Sequence, residues 1–244
     1  TRRSSDLDSN LSLASPGLLP AIIGLVAAAV LVWLGLLSQP QQKDQLAQAW
    51  GTAQAGAIGK TLRQMTAGTQ AAATDGALAE AVQSNDPLQI QNAQNRLLYR
   101  DSVIGARLSP LGFNSVDNQG PLPISFATLD MLAKASKGET PAPEARKVGD
   151  SWMIYSVAPL RASADAPITG TLLLAFKLQR LTNALPEAPA EVGQTVLSQQ
   201  FGDAAAQSFL TRGQSDGGRG MDFPTGYPNW KLTFTPGPAL NTSP

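Results

Sequence analysis

The sequence predicts an α+β fold: an N-terminal transmembrane helix and a long stalk helix, followed by a domain with a central antiparallel sheet flanked by helices. Three observations predict it. An uncharged, apolar run covers residues 18–37. Apolar and small residues then recur every three or four positions as far as residue 73, as they do on one face of a helix. Beyond residue 100, runs of β-branched and aromatic residues alternate with turn signals, which is typical of antiparallel strands.

The first element is the stretch LLPAIIGLVAAAVLVWLGLL at residues 18–37. As a helix it would span roughly 30 Å, the thickness of the hydrocarbon core of a bilayer. A buried core helix would show a polar face, and the apolar core of a cleaved signal peptide is only about 7–15 residues long, so these alternatives fit less well. Arg2 and Arg3 precede the stretch and Lys43 alone follows it closely. The positive-inside rule therefore predicts an inner-membrane span with a disordered cytoplasmic tail at 1–17 and an extracytoplasmic bulk.

Residues 38–73 are predicted to form a membrane-proximal long helix. Its apolar face begins near Leu46, ends at Ala72 and shifts once near Gly56. This face has two interpretations. It belongs either to an amphipathic helix that packs on its own domain, or to a signalling stalk that pairs with its twin in a homodimer through residues 41–73.

The following helices are assigned from caps and turns. Asp75 and the Asp86-Pro87 pair are favourable helix starts, so helices are expected over 75–84 and from residue 87 to about 100. Ser125 is the expected cap of another helix, and a helical turn is expected at 203–210. The apolar positions of the Ser125-capped helix are Phe126, Leu129, Leu132 and Ala133.

The strands of the expected sheet are recognised by alternation and by turn residues. Gly149-Asp150 is a hairpin signal between two of them. Turns or loops are expected at 118–121 and 213–220, and a linker at 237–244. The expected strands are 103–108, 144–148, 151–160, 169–178, 195–197 and 230–235, the last being the final strand of the same sheet.

Composition excludes several kinds of site. The sequence has no cysteine and no histidine, which removes disulfides, thiolate metal sites and the nucleophile pairs that depend on histidine. Its 18 basic and 18 acidic residues balance, so nothing indicates a nucleic-acid surface. The glycines of 213–220 do not link a strand to a helix, so a phosphate-binding loop is not predicted. We expect no catalytic residues, no metal and no cofactor, and hence no enzyme in this segment.

The order of elements resembles the Cache and PAS-like extracytoplasmic sensor domains of bacterial receptors. The resemblance covers about residues 41–236 and includes the closing segment NWKLTFTP at 229–236. It implies a sensory or regulatory domain at 74–236, of the kind found in chemoreceptors and histidine kinases. A second, degenerate lobe near 190–236 is an open alternative.

A narrower resemblance concerns two segments. RDSVIGARLSPLGFNSVDNQGPLPISFATLDML and WMIYSVAPLRASADAPITGTLLLAFKLQRL are similar to the N-terminal extension of the long form of bacterial phosphomannomutase/phosphoglucomutase, an enzyme of exopolysaccharide and lipopolysaccharide synthesis. The Ser-His pair and the Asp-Gly-Asp-Gly-Asp loop of that family are absent from this sequence. The resemblance therefore implies membrane attachment and regulation of a cytoplasmic mutase, which would follow residue 244 after a second membrane span.

A sensor pocket for a small anionic ligand needs a basic residue beside aromatic walls. Arg107, Arg146, Trp152 and Tyr155 are the candidate ligand-binding residues. The alternative is that the aromatic residues are core and the arginines are solvated. A polar pocket near Trp152 and Tyr155 would favour a sensor. A pocket packed shut by Leu172, Leu174 and Phe176 would favour a plain membrane anchor and dimerisation scaffold.

Overall fold

The computed structural model describes residues 18–117 and 122–241, and for residues 18–42 it describes the backbone alone. The expected tail at 1–17 and the expected turn at 118–121 lie outside the described residues. The compact unit that contains the sheets begins at Ala47.

The described residues form an α+β structure with two antiparallel sheets, which confirms the predicted fold class. The helices are α1 (Leu18–Ala72), α2 (Gly76–Gln83), α3 (Pro87–Leu97), α4 (Phe126–Ser136), α5 (Gln179–Ala184) and α6 (Pro238–Asn241). The strands are β1 (Val103–Pro110), β2 (Glu144–Val148), β3 (Ser151–Arg161), β4 (Ile168–Lys177), β5 (Gly193–Gln199), β6 (Gln207–Arg212), β7 (Met221–Pro224) and β8 (Trp230–Pro236).

The helix α1 extends from Leu18 to Ala72, so Pro40 lies inside it and does not separate two helices. Among the residues whose side chains are described, no helix has both the length and the hydropathy that crossing a bilayer requires. The side chains of the apolar stretch at 18–37 lie outside that set. The transmembrane assignment therefore stays a prediction.

The buried face of α1 agrees with the prediction in its second half and differs in its first half. The expected apolar positions from Ile58 to Ala72 are buried, whereas Leu46 is 51% exposed. The reason is that the buried face runs through Gly51 and Gly59. At Gly51 the ring of Phe223 lies where a β-carbon would be, so a glycine allows the sheet to approach the helix backbone.

Gly59→Ala should destabilise the fold, because a β-carbon at this position would overlap the carbonyl oxygen of Thr225. Overpacking costs about 1–3 kcal/mol, which exceeds the roughly 0.5–1 kcal/mol that alanine gains over glycine in a helix interior. Gly56 on the same helix faces open space, so Gly56→Ala should stabilise the fold by roughly 0.5–1 kcal/mol. Urea unfolding of both variants beside the parent protein checks the two signs. Equal effects would contradict the close approach of α1 to Thr225.

The first sheet has the strand order β1-β4-β3-β2. Its β2–β3 hairpin turns at Gly149 and Asp150, as predicted, and the positive φ of Gly149, 58°, suits glycine. β4 lies inside the sheet, between β1 and β3. One face of the sheet packs on α1, α2 and α3 and is called the α1 face; the other packs on α4 and is called the α4 face. The α1 face carries Trp152, Ile154, Ser156, Leu172, Leu174 and Phe176, and the α4 face carries Tyr155, Val157, Leu173 and Ala175.

The second sheet, in the order β6-β5-β8-β7, forms a second lobe. The expectation that 230–235 closes a single central sheet is wrong, because β8 pairs with β5 and β7. This second sheet covers residues 193–236, the region of the open alternative of a second lobe near 190–236. The helical turn expected at 203–210 is also wrong, since β6 begins at Gln207 and pairs with β5. Cross-strand pairing in this lobe outweighs the helix propensity of the preceding alanines.

The helix α4 begins at the predicted cap. The Ser125 Oγ accepts a hydrogen bond from the backbone N–H of Thr128 at 3.3 Å. The expectation that Phe126 lies on the apolar side of this helix is wrong, because Phe126 is 82% exposed. Met131 and Ala135 are buried instead, since the helix turns the face that holds them towards the sheet.

Candidate functional site

The α4 face holds a group of polar side chains in an apolar setting. Tyr155 on β3 is 1% exposed, and Glu144 on β2 lies directly opposite it in the ladder. Arg146 lies opposite Met153, one position further along the same face. Side chains placed in this way on neighbouring strands are about 5–8 Å apart. Apolar side chains pack with Tyr155 on this face: Leu122, Ile124, Met131, Leu132, Val157 and Leu173.

Two buried polar atoms of this group have no hydrogen-bond partner among the described residues: the Tyr155 Oη and the Arg146 Nε. Burial raises the pKa of Tyr155 to about 12, and the positive charges of Arg146 and Arg107 offset only part of this increase. The phenol is therefore protonated at neutral pH. Because buried polar atoms in native proteins are nearly always paired, these two atoms indicate where a bound polar molecule would gain hydrogen bonds.

Arg146 forms an ion pair with Glu144, and the two side chains are 21% and 12% exposed. Burial raises the pKa of Glu144, against the lowering effect of Arg146. The Arg146 guanidinium also lies over the ring of Phe201, 5.7 Å from its centre. Since Phe201 follows β5, the ion pair lies where the first sheet meets the second lobe.

Arg107 projects from β1 on the same face but has other partners. Its Nη2 donates a hydrogen bond to the Asp117 Oδ2 at 2.8 Å, and its Nη1 donates to the carbonyl oxygen of Leu122 at 3.4 Å. Its guanidinium lies 5.3 Å from the centre of the Phe113 ring. These contacts hold the connection between β1 and α4 against the sheet.

Trp152 lies on the α1 face, opposite to Tyr155, because residues three apart in a strand point to opposite sides. Its ring centre is 5.4 Å from that of Phe209 on β6, and Phe209 meets Trp230 edge-on at 5.3 Å. Trp152 therefore belongs to the packing between the lobes. The structure brings Tyr155 and Arg146 together on one face and separates Trp152 from them.

Glu144 is a further candidate residue, which the sequence alone did not single out. A signal for it was present in the predicted hairpin turn at Gly149-Asp150. Positions equidistant from a two-residue turn face each other across the hairpin, and counting outward from the turn pairs Glu144 with Tyr155.

A cleft of about 180 Å³ lies at the other end of the α4 face. The residues that line it include Phe113, Thr171 of β4 and Leu132 of α4. The Ser109 Oγ beside Thr171 is a further buried oxygen without a hydrogen-bond partner among the described residues. The α4 face thus combines a cleft at one end with unpaired polar atoms at both ends.

Comparison with known proteins finds similar folds but no related sequence family. No protein-family model matches the sequence, and a search of curated proteins finds no match. The chain is similar to the ligand-binding domain of the Pseudomonas aeruginosa PAO1 amino acid chemoreceptor PctB in complex with L-Gln, with a TM-score of 0.53 and 11% identity over 81% of this chain and 92% of that chain. It is also similar to the ligand-binding domain of the Pseudomonas fluorescens chemoreceptor CtaA in complex with L-leucine, with a TM-score of 0.51 and 14% identity over 83% and 98% of the two chains.

A third structure is the sensor domain of the V. cholerae histidine kinase DctB. It matches with a TM-score of 0.47 and 13% identity over 68% of this chain, and the chain spans 64% of its length. The likeness to the two chemoreceptor domains shows that this chain shares their fold, and it shows the fold alone. The two chemoreceptor structures are ligand-binding domains, so the resemblance to a mutase gains no support from them.

Proposed function

We propose that this chain is the extracytoplasmic sensor region of a membrane-anchored bacterial receptor, and that its first lobe binds a small ligand with the ammonium and carboxylate groups of an amino acid. The observation that carries the proposal is the pair of buried, unpartnered polar atoms on the α4 face, the Tyr155 Oη and the Arg146 Nε. The similar domains of PctB and CtaA, in complex with L-Gln and L-leucine, support this ligand class.

The charges of the site suit a zwitterion. A ligand carboxylate can accept hydrogen bonds from the Arg146 guanidinium and the Tyr155 phenol, and hydrogen bonds to a charged group are the stronger kind. A ligand ammonium can donate to the Glu144 carboxylate. Because Arg146 and Glu144 carry opposite charges, a zwitterion enters without leaving a net buried charge. Side chains of α4 and of the preceding connection cover this face, so a ligand has to displace part of that cover.

The helix α1 is the proposed route of the signal. It contacts the second lobe through a buried hydrogen bond, in which the Thr195 Oγ1 donates to the Gln54 Oε1 at 2.6 Å. The homodimer through 41–73, the transmembrane span at 18–37 and its orientation remain parts of the proposal. The similar structures support a chemoreceptor or histidine kinase as the output, and the proposal does not depend on an attached mutase.

A plain membrane anchor and dimerisation scaffold is the second candidate. The packing of Leu172, Leu174 and Phe176 on the α1 face, where each is at most 3% exposed, favours it. That packing lies on the side of the sheet away from Tyr155, so it does not close the proposed site. The scaffold predicts no saturable ligand.

Calorimetric titration of the full chain, kept in solution by a mild detergent, with the common L-amino acids tests the proposal. We expect saturable one-to-one binding of at least one of them. The N-acetylated and the amidated form of that amino acid should each bind at least about tenfold more weakly, because each lacks one of the two charges. An absence of saturable binding across the whole set would overturn the proposal and favour the scaffold.

A further inference from the structure

A second cleft, of about 210 Å³, lies on the α1 face of the first sheet. Leu174 and Phe176 give it an apolar floor, and Gly68 of α1 is part of one wall. Arg100 and Arg180 also line it. This cleft is separate from the proposed amino-acid site, because it lies on the opposite side of the sheet from Tyr155.

The two arginines give the cleft a positive charge with available donors. The Arg180 guanidinium lies 5.3 Å from the centre of the Phe176 ring, which places it over the apolar floor. Its Nη1 donates a long hydrogen bond of 3.4 Å to the carbonyl oxygen of Asp101. Neither Arg100 nor Arg180 forms a salt bridge with another described residue. A guanidinium has five N–H donors in a planar fork that matches a carboxylate.

One acidic side chain is found among the residues that line this cleft, that of Asp101. Its Oδ1 already accepts a hydrogen bond from the Ser102 Oγ at 3.2 Å. With two guanidinium groups against one carboxylate, the lining keeps a net positive charge and favours an anion over a cation.

We propose that this cleft binds a small organic monocarboxylate with an apolar body about the size of benzoate. Its carboxylate would accept paired hydrogen bonds from Arg180, with Arg100 as the second positive charge. Its apolar body would rest on Leu174 and Phe176. An apolar cavity of about 150 Å³ is large enough for benzene, so the cleft has room for a ring and part of its carboxylate. Since Gly68 belongs to α1, an occupant would contact α1 directly.

The cleft can be filled without disturbing the core. A β-carbon at Gly68 meets open space, so Gly68→Leu should place its side chain into the cleft and block it. Gly56→Leu is the matched control, because Gly56 is also an exposed glycine of α1 whose β-carbon would meet open space. Both variants replace a helical glycine with a good helix former, so both should stay folded, which circular dichroism checks.

The test is a titration of the full chain in detergent with benzoate, followed by saturation-transfer NMR, with benzamide as the neutral probe of the same shape. We expect benzoate to bind the parent protein with a Kd below about 1 mM and benzamide to bind at least about tenfold more weakly. Gly68→Leu and Arg180→Gln should each weaken benzoate binding at least about tenfold, and Gly56→Leu should change it by less than about twofold.

No saturable benzoate signal in the parent protein, or equal weakening by the two leucine variants, would overturn the proposal. Should Gly68→Leu fail to fold, Arg180→Gln tests the same prediction of weaker benzoate binding. A saturating L-amino acid should leave benzoate bound, because the two sites lie on opposite faces of the sheet. If the parent protein binds benzoate but no amino acid, that result counts against the proposed receptor function and not against this cleft.

Discussion

Replacing Trp230 with alanine should lower the free energy of unfolding by about 3–5 kcal/mol, the usual effect of deleting a large buried aromatic side chain. Trp230 is 3% exposed. Its Nε1 donates a buried hydrogen bond of 2.7 Å to the carbonyl oxygen of Pro143, which directly precedes β2. Its ring also packs edge-on against Phe209. The substitution therefore opens a cavity between the lobes and leaves a buried carbonyl without this donor.

Urea unfolding of three variants separates these effects. Trp230→Phe keeps most of the apolar contact and should lose about 1–3 kcal/mol, the penalty for an unpaired buried acceptor. Tyr99→Ala is the control for removing an aromatic ring, because Tyr99 is 91% exposed, and it should change stability by less than about 0.5 kcal/mol. If Trp230→Ala lowered the free energy of unfolding no more than Tyr99→Ala does, the assignment of Trp230 to the packing between the two lobes would be wrong.

Arg146→Leu should lower the free energy of unfolding by about 2–3 kcal/mol at neutral pH, because it removes the partner of a largely buried carboxylate. This value lies below that for a fully buried pair, since the Arg146 side chain is 21% exposed. The double variant Arg146→Leu with Glu144→Leu should recover most of the loss, because two apolar side chains leave no buried charge. A double variant as unstable as Arg146→Leu alone would contradict the assignment of the loss to Glu144.

The penalty of Arg146→Leu should also depend on pH. Burial raises the folded-state pKa of Glu144 above its usual 4.5. A raised carboxyl pKa gives a contribution to stability that is fully present below the unfolded-state pKa and is lost as pH rises through the folded-state pKa. Removing Arg146 removes an influence that lowers this pKa, so the penalty should be small near pH 4 and grow towards pH 7. Urea unfolding across this range measures it, and a constant penalty would exclude Glu144 as its source.

The first sheet could be predicted because its signals are local. The Gly149-Asp150 turn fixes the register of β2 and β3. One face of β4 is apolar and the other is mixed rather than polar, which is typical of a strand inside a sheet. The second lobe is only an open alternative at the level of sequence, because its pairing is not local. The alternation of residues 230–235 marks a strand, but only pairing with β5, more than thirty residues earlier, decides which sheet it joins.

The candidate site could be predicted only in part. The strand period separates Trp152 from Tyr155, and the hairpin pairs Tyr155 with Glu144, so these two facts were available from the residues. The contact of Arg107 with Asp117 was not, because it depends on the path of the chain between β1 and α4. The approach of the second lobe to Gly51 was hidden for the same reason. A glycine in a helix shows where a close contact is allowed, and not which residue makes it.

The most direct test of the α4-face site is the replacement of Tyr155 with phenylalanine, with stability and amino-acid affinity measured on the same protein. The variant removes a buried hydroxyl that has no hydrogen-bond partner among the described residues. The ligand-free protein should therefore become more stable by about 1–3 kcal/mol, while its affinity for the amino acid should fall about tenfold. A variant that binds the amino acid as tightly as the parent protein, or that is less stable without it, would contradict the assignment of Tyr155 to a ligand site.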